Sequence, residues 1–406
     1  MGMSNPVNRF CWDLFDIQHD DRVFLSPFGI FTAMSALAHG APVGSVTSSE
    51  ILKALHCDTL DDLDAFIRGT QPVSEKDEVF RSSNLILVDM GKSKEKGINP
   101  EYEAVVAELF GTKVDEADFK KGSEKVRAMI KKWAKESTNG MIDNFESQVN
   151  SDTMAAILNA VAFKGRWYYP FEHEDSYTDV FHNADGTETD QRLMSTRIYG
   201  PMYYAEDDRF RAVKLSYYGG YYMFFVLPKG VDDLKVFEEW TSTPYEYREE
   251  FLSERNVDVG EIELVIPRFE MSCEYDLKKT LESIGVKISL SDAAEYTRII
   301  NDETLKIGSA KHQSRVRVDE VGTEAAAVTE IVMDGCTATP PPPPVPKFVC
   351  DIPFIFSICS KDGTMLFTGY FGKSSGISKS DSKPKGKKKG MRDRIRETLD
   401  DFCEEL

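Results

Sequence analysis

Six histidines are the first residues to test for chemistry, because an imidazole can act as a general base or a metal ligand near neutral pH. They are His19, His39, His56, His173, His182 and His312. None of them belongs to a His-Glu-x-x-His pair, the signature of many zinc proteases, and no glycine loop of the P-loop type is present. A surface or hydrogen-bonded structural role is therefore the favoured interpretation of each histidine. The sequence predicts no catalytic centre, no metal site and no cofactor.

A more informative pattern follows Glu320. By propensity alone, the run of alanine and glutamate favours a short helix capped by Thr323. With a period of two residues, however, one face is small and then apolar, and the opposite face carries every charge. The first face comprises Thr323, Ala325, Ala327, Thr329, Ile331 and Met333. The second comprises Glu324, Ala326, Val328, Glu330, Val332 and Asp334.

This alternation is typical of a strand with one buried and one exposed face. Small residues would let such a strand slip between existing strands without overpacking them. The segment thus fits a loop, a helix or a strand, as a conformational switch requires.

The rest of the chain supplies the elements that must position this segment. Helical spacing predicts helices near residues 10–17, 26–40, 47–56, 100–110 and 124–136. Strand patterns follow, with a hairpin around Gly219-Gly220 and alternating runs at residues 261–269, 354–358 and 365–370. Because helices and strands mix without a βαβ rhythm, the sequence predicts an α+β fold.

The sequence resembles the serpin family of serine protease inhibitors, in the branch of ovalbumin-type members without a signal peptide. The stretch from Glu320 to Thr329 resembles the serpin hinge in register. Further blocks in the family order are Ser26-Pro27-Phe28, Trp133 with Thr138-Asn139-Gly140, Asn159-Ala160, Phe163-Lys164-Gly165 with Trp167, Ile266-Pro267-Arg268-Phe269, His312, and Pro353-Phe354. Gly29 departs from the small hydroxyl residue usual in the buried helix, which predicts looser packing beneath the sheet.

The resemblance implies a serpin fold over residues 1–373, with three β-sheets, about eight or nine helices and an exposed reactive-centre loop at about residues 320–347. It assigns a hinge to Glu320, Gly322, Thr323, Glu324, Ala325, Ala326, Ala327, Val328 and Thr329. It also assigns structural support of the moving sheet to Trp167, Arg268, His312, Ser26 and Asn159. Glu320 and Arg268 occupy positions that commonly pair.

The function implied is suicide inhibition without enzymatic turnover. A protease forms an acyl-enzyme on the loop, and the loop then inserts into the sheet and traps the protease. Counting fourteen residues beyond Gly322 places the reactive bond at Cys336-Thr337; Asp334-Gly335 and Met333 are the alternatives. The alternative function is that of a non-inhibitory serpin acting as a chaperone, carrier or storage protein.

The distribution of charged residues limits the classes of partner that the protein is expected to bind. No Lys or Arg lies between Gly322 and Pro346, which disfavours a trypsin-like target and favours a chymotrypsin-like, elastase-like or papain-like protease. The net charge of −19 disfavours nucleic acid as a partner. Residues 58–81, which align with heparin-binding helices, are acidic, so a heparin cofactor is disfavoured too. We expect a monomer.

Residues 374–406 have no counterpart in the common serpin domain. Residues 374–390 are rich in Ser, Lys and Gly and predict a flexible linker. The basic cluster at residues 383–389 fits that linker, with a nuclear signal or an anion contact as alternatives. Residues 391–406 predict an amphipathic helix with Met391, Ile395, Leu399, Phe402 and Leu406 on one face.

Cysteine usage and the termini indicate the compartment. The seven cysteines are odd in number and lack metal-ligand spacing, as expected in a reducing environment. The start of the sequence shows no basic region followed by an apolar run, and no segment reaches about 18 apolar residues. We therefore expect a cytoplasmic protein, or one released by an unconventional route, with no transmembrane segment.

Overall fold

A computed structural model describes residues 5–70, 79–93, 97–229, 234–253, 256–301, 305–322 and 346–376. The predicted hinge from Thr323 to Thr329, the candidate reactive bonds at residues 333–337, and the predicted helix at 391–406 lie outside these described residues. Four predicted hinge and support residues inside them come together at one site: Glu320, Gly322, Trp167 and Arg268.

Ten helices lie in the described residues, one of them a single turn, where the resemblance predicted eight or nine. They are α1 (Pro6–Asp16), α2 (Pro27–Gly40), α3 (Val46–Ala54), α4 (Leu60–Gly69), α5 (Met90–Ser93), α6 (Pro100–Phe110), α7 (Phe119–Ser137), α8 (Val236–Thr241), α9 (Tyr245–Leu252) and α10 (Leu277–Ser283).

Helix α2 begins where the sequence predicted. The Ser26 side chain caps it by accepting a hydrogen bond from the backbone N–H of Gly29, and Pro27 occupies the first turn. Every residue of α2 is buried. A helix that is covered on all sides belongs to the interior of the fold, and α2 packs against strands of two different sheets.

The strands alternate with these helices along the chain. They are β1 (Arg22–Leu25), β2 (Phe80–Asp89), β3 (Thr112–Ala117), β4 (Ala155–Phe163), β5 (Tyr177–His182), β6 (Glu188–Glu206), β7 (Phe210–Ser216), β8 (Tyr222–Pro228), β9 (Asn256–Pro267), β10 (Phe269–Asp276), β11 (Ile307–Val318), β12 (Lys347–Val349), β13 (Phe354–Cys359) and β14 (Met365–Phe371).

These strands form three sheets, which confirms the predicted α+β fold with three β-sheets. A five-stranded sheet has the order β10-β11-β4-β2-β3. Strands β5, β6, β9 and β12 form a second sheet, and the long β6 continues into a third through its pairing with β7. The predicted hairpin is β7-β8, turning at Gly219 and Gly220, both with positive φ.

A parallel strand pair of the five-stranded sheet leads to the predicted hinge. Strands β4 and β11 run parallel, in register from Ile307 opposite Ala155 to Arg315 opposite Ala162. Beyond that point β11 continues to Val318, paired only with β10 on its other side. The two parallel strands therefore part at the end where the chain leaves β11.

No helix in the described ranges is long and apolar enough to cross a membrane.

Candidate functional site at the end of the central sheet

Residues 319–322 form a tight turn where β11 ends. The Asp319 carboxylate accepts hydrogen bonds from the backbone N–H groups of Val321 at 3.1 Å and Gly322 at 3.2 Å. The backbone N–H of Asp319 also donates to the Gly322 carbonyl at 2.8 Å. An aspartate that satisfies its own turn in this way is a common device for reversing a chain.

The segment between β4 and β5 fixes this turn. The backbone N–H of Trp167 donates to the Val321 carbonyl at 3.0 Å, and that of Phe171 donates to the Glu320 carbonyl at 2.8 Å. The Trp167 indole N–H donates to the Asp319 carbonyl at 3.0 Å. The predicted support residue Trp167 therefore holds the turn through two of its own hydrogen bonds.

Gly322 can only be glycine at this position. Its φ is +150°, and a Cβ atom there would lie 2.2 Å from the Gly165 carbonyl oxygen and 2.7 Å from the Arg166 Cα. Both neighbours are backbone atoms, which cannot move aside cheaply. The missing side chain lets Gly322 form a β-bridge with Arg166.

The ring of Trp167 is in turn fixed by its packing on Tyr217. Its ring stacks on Tyr217 with centroids 4.1 Å apart and an interplanar angle of 13°. Gly165 leaves room for this packing, because a Cβ there would lie 2.7 Å from the rings of Phe163 and Tyr217. Sequence analysis missed Tyr217, whose signal was an aromatic pair beside the Gly219-Gly220 turn.

The Glu320 side chain is the buried charge of the turn. It is 1% exposed, and neither carboxylate oxygen accepts a hydrogen bond from the described residues. Three basic groups surround it: His173 Nδ1 at 3.4 Å, Arg192 Nε at 3.9 Å and Arg268 Nη1 at 3.9 Å. Glu320 thus faces Arg268, as expected from the resemblance, and two further basic residues that the sequence did not indicate.

A polar row crosses the same sheet on strands β11, β4 and β2. His312 on β11, Asn159 on β4 and Asn84 on β2 are register partners. His312 Nδ1 lies 2.5 Å from Asn159 Oδ1, and Asn159 Nδ2 donates to Asn84 Oδ1 at 2.7 Å. The row continues into α2, where Asn84 Nδ2 donates to Thr32 Oγ1 at 3.0 Å.

Ser26 closes this row at the start of α2. Its backbone N–H donates to His312 Nε2 at 3.1 Å, and its hydroxyl donates to the Leu366 carbonyl at 2.6 Å. The predicted residues Ser26, Asn159 and His312 therefore meet in one buried network. Sequence analysis missed Asn84 and Thr32; an asparagine opening the apolar run of β2 was the available signal for the first.

The packing at Gly29 corrects one sequence expectation. A Cβ atom at Gly29 would lie 2.6 Å from Val161 Cγ2 and 2.7 Å from Asn159 Oδ1. The space is occupied, so the expectation of looser packing beneath the sheet was wrong. Val161 and Asn159 fill the volume that a larger side chain on α2 would take.

Comparison with known proteins decides the family. The Serpin family profile, described as serine protease inhibitor, matches residues 5–373. The chain belongs to the serpin family.

Alignments with its relatives span nearly the whole length of this serpin. Serpin B3 of Homo sapiens is 28% identical over 91% of this chain and 98% of its own length. The leukocyte elastase inhibitor of Sus scrofa is 28% identical over 90% of this chain and 98% of its own. The structure of uncleaved ovalbumin superposes with a TM-score of 0.77 at 23% identity, covering 92% of this chain and 100% of that one. Most members of the family inhibit proteases and are not proteases themselves.

One string of residues in this serpin has the letters of a hydrolase nucleophile elbow, Gly372-Lys373-Ser374-Ser375-Gly376. Its central Ser374 is buried, its backbone N–H donates to Asn183 Oδ1 at 2.8 Å, and its hydroxyl donates to Gln191. The elbow requires an exposed hydroxyl on a strand-to-helix turn. Ser374 is a structural residue that ties the end of the domain to β6.

Together, the turn and the row define what the serpin sheet can do. The turn delivers the chain after Gly322 to the point where β4 and β11 part. A strand returning from there would run antiparallel to both neighbours, the pairing with the better hydrogen-bond geometry. A strand placed between β4 and β11 would separate His312 from Asn159 by about one further strand spacing, ~4.8 Å, and would therefore break their contact in the polar row.

Proposed function

We propose that this serpin inhibits serine-type endopeptidases as a suicide substrate, trapping the protease covalently while residues 323–334 insert between β4 and β11. The observation that carries the proposal is the Gly322 turn, fixed by Trp167 and Arg166 at the open end of a parallel strand pair. A fixed turn there lets a released segment enter the sheet without searching for its register.

The alternation of residues 323–334 indicates which of their side chains insertion would bury. Small or apolar residues from Thr323 to Met333 would face α2, and the charged residues would face solvent. Burying an ionised group without a partner costs several kcal/mol. A charge on the first inward position is therefore expected to stop insertion at its start.

The test compares two substitutions that differ only in face. Thr323→Arg places a cation on the inward face, and Glu324→Arg places the same cation on the outward face. With chymotrypsin-like, elastase-like and papain-like proteases, we expect the wild type and Glu324→Arg to form SDS-stable complexes. Thr323→Arg is expected to be cleaved without complex formation. Complexes of equal yield with both variants would refute the insertion step.

The bond attacked is proposed to be Cys336-Thr337, fourteen residues beyond Gly322. Mass spectrometry of the fragment released from a complex locates it directly, since attack there yields a fragment beginning at Thr337. Fragments beginning at Gly335 or Asp334 would assign the bond to Asp334 or Met333 instead. Cleavage by every protease without any complex would favour the non-inhibitory alternative.

We further propose that the protein acts in a reducing compartment. The five cysteines among the described residues are all free thiols: Cys11, Cys57, Cys273, Cys350 and Cys359. Burial raises the pKa of Cys11 and Cys350 well above the usual thiol range, which makes them poor nucleophiles. Fractionation of cells that express the full chain, with thiol alkylation before lysis, tests this proposal: disulfide-linked forms would contradict it.

A further inference from the structure

Three tyrosine rings form an exposed cluster beside the Glu320 turn. Tyr168 and Tyr169 are each 51% exposed, and Tyr218 is 49% exposed. The ring centroids of Tyr168 and Tyr169 lie 4.9 Å apart, and those of Tyr168 and Tyr218 lie 5.3 Å apart. Single apolar residues at a surface are ordinary, whereas a contiguous group is typical of an interaction site. These three tyrosines, with Lys164 and Arg166, are called the tyrosine patch below.

The backbone beneath the exposed rings is fixed before any partner arrives. The backbone N–H of Tyr168 donates to the Ser216 carbonyl at 2.8 Å, and that of Tyr218 donates to the Arg166 carbonyl at 2.9 Å. The residues that precede Tyr168 and Tyr218 also form a β-bridge with each other. Binding would therefore order side chains only, and a tyrosine side chain has few torsions to lose.

The patch carries positive charge that no acidic residue of its own segments offsets. Residues 161–171 and 215–221 contain Lys164 and Arg166 and neither Asp nor Glu. Both cations are exposed, and neither forms an ion pair within the part of the chain that the structure describes. The Arg166 guanidinium lies over the Tyr218 ring at 5.3 Å. Tyrosine and arginine are among the side chains that contribute most to binding at protein interfaces.

The acidic residues of the adjoining turn already have partners. The Asp319 carboxylate accepts two backbone hydrogen bonds within the turn and faces Arg317 Nε at 3.9 Å. Glu320 is buried and faces three basic groups. Because the chain has a net charge of −19, most of its surface repels an acidic partner. An exposed cationic patch on such a body therefore fixes where, and in which orientation, an acidic surface docks.

The patch adjoins the point from which the proposed bait loop departs. Gly322 forms its β-bridge with Arg166, so the loop leaves the body next to the patch. Cys336 lies fourteen residues beyond Gly322, a distance of at most about 50 Å when fully extended. A globular protease of about 230 residues is roughly 45 Å across. A protease that holds the loop therefore lies within reach of the patch.

We propose that the tyrosine patch is an accessory docking surface for the attacking protease, and that it binds an acidic, partly apolar region beside the protease's substrate cleft. This inference rests on the proposed function, since it requires that a protease attacks the loop. The rings supply the apolar centre of the contact, while Lys164 and Arg166 face carboxylates at its edge. Complementary charges act mainly on the rate of association. The patch thus accelerates attack on the loop and leaves the steps after the cut unchanged.

The rate of attack on the loop measures this docking whether or not inhibition follows. Tyr168→Ser with Tyr218→Ser removes two rings, and Lys164→Glu reverses one charge. Chymotrypsin, pancreatic elastase and papain are the probes, and gel electrophoresis counts cut and complexed chains together. We expect kcat/KM for attack on the loop to fall at least about tenfold in both variants with at least one of these proteases. The ratio of complex to cut product should stay at the wild-type value, because the patch acts before the cut.

Two substitutions on α7 are the matched controls. Met129→Ser removes an exposed apolar side chain, and Lys125→Glu reverses an exposed charge outside the patch. Both should keep the wild-type kcat/KM. Raising NaCl from about 0.05 M to about 0.5 M should slow attack on the wild type and narrow its advantage over Lys164→Glu, since salt screens exposed charges. Lys164→Glu retains every ring of the patch, so it remains informative if the double tyrosine variant folds poorly.

Unchanged kcat/KM in both patch variants with all three proteases would overturn the proposal. A loss confined to the tyrosine variant would overturn the acidic nature of the partner surface. A changed ratio of complex to cut product would place the tyrosines in loop insertion instead of docking. Failure of the proposed inhibition gives a different result, cut product without complex in the wild type, and leaves the comparison of cleavage rates valid. A wild-type loop that none of the three proteases attacks would overturn both proposals.

Discussion

The residue with the clearest electrostatic role is His312, at the crossing of β11, β4 and α2. Because the Ser26 backbone N–H donates to Nε2, the ring is neutral and its proton is on Nδ1, facing Asn159. Burial lowers the pKa of His312 to about 3. Between that value and the unfolded value of about 6.5, only the unfolded chain binds the proton, so stability is lost as the pH falls through this window, by up to about 1.4 kcal/mol per pH unit.

A comparison of His312→Gln with the wild type therefore depends on pH. At pH 7.5 we expect the variant to be less stable by about 2–4 kcal/mol, because a buried network loses its centre. At pH 5 the difference should narrow by about 2 kcal/mol, since only the wild type carries the histidine penalty. Urea denaturation midpoints measure both values. The non-titrating control Ser314→Ala, which removes a buried hydrogen bond to the Phe24 carbonyl, should show a constant difference.

Gly322 permits a test of the turn itself. Gly322→Ala places a methyl group against the Gly165 carbonyl, whereas Gly44→Ala places one at φ +76° with no atom within 4 Å. The control measures the penalty of a side chain in the left-handed backbone conformation, about 1–2 kcal/mol. We expect Gly322→Ala to cost more and to release Trp167 from the turn, seen as increased acrylamide quenching of tryptophan fluorescence. Equal effects of the two substitutions would mean that the turn is not tightly fixed.

Gly29 and Val161 form a pair whose sizes must match. Gly29→Ser should destabilise the protein by about 1–3 kcal/mol through overpacking, because its Cβ would lie 2.6 Å from Val161 Cγ2. The double variant with Val161→Ala should recover at least half of this loss. A double-mutant cycle on the free energies of unfolding from chemical denaturation measures the coupling between positions 29 and 161. Additive changes in these free energies would show that Asn159, not Val161, limits the size of the side chain at position 29.

At the scale of elements, the decisive feature is the parallel pair β4-β11. A free peptide with the sequence of residues 323–334 should compete for the gap that the chain's own segment would fill. On prolonged incubation we expect it to raise the melting temperature and to convert the inhibitor into a substrate. The same peptide with Arg in place of Thr323 is the control and should do neither. Continued inhibition by a protein saturated with the first peptide would contradict insertion between β4 and β11.

Five of the ten described helices and five of the fourteen described strands were predicted from local patterns, but the partners of these elements were not. Ser26 and Pro27 indicated the start of α2, and Gly219-Gly220 indicated the β7-β8 hairpin, because caps and tight turns depend on adjacent residues. The row of His312, Asn159 and Asn84 joins residues up to 228 positions apart. Register between distant strands is set by the whole sheet, so spacing in the sequence carries no sign of it. The family resemblance named Asn159 and His312 but not Asn84.

At the scale of the whole molecule, the proposal requires that the intact protein is not in its state of lowest free energy. A single cut at residues 333–337 would free residues 323–334 to join the sheet. New backbone hydrogen bonds and the burial of the apolar face would raise the unfolding free energy of the nicked form, opposed by the entropy of ordering the strand. We therefore expect the nicked protein to melt at a higher temperature than the intact one in differential scanning calorimetry. The nicked Thr323→Arg variant should melt at the same temperature as its intact form, because insertion would bury the charge of its first inward residue. An equal rise in melting temperature in this variant would show that cleavage stabilises the molecule by some route other than a new strand between β4 and β11.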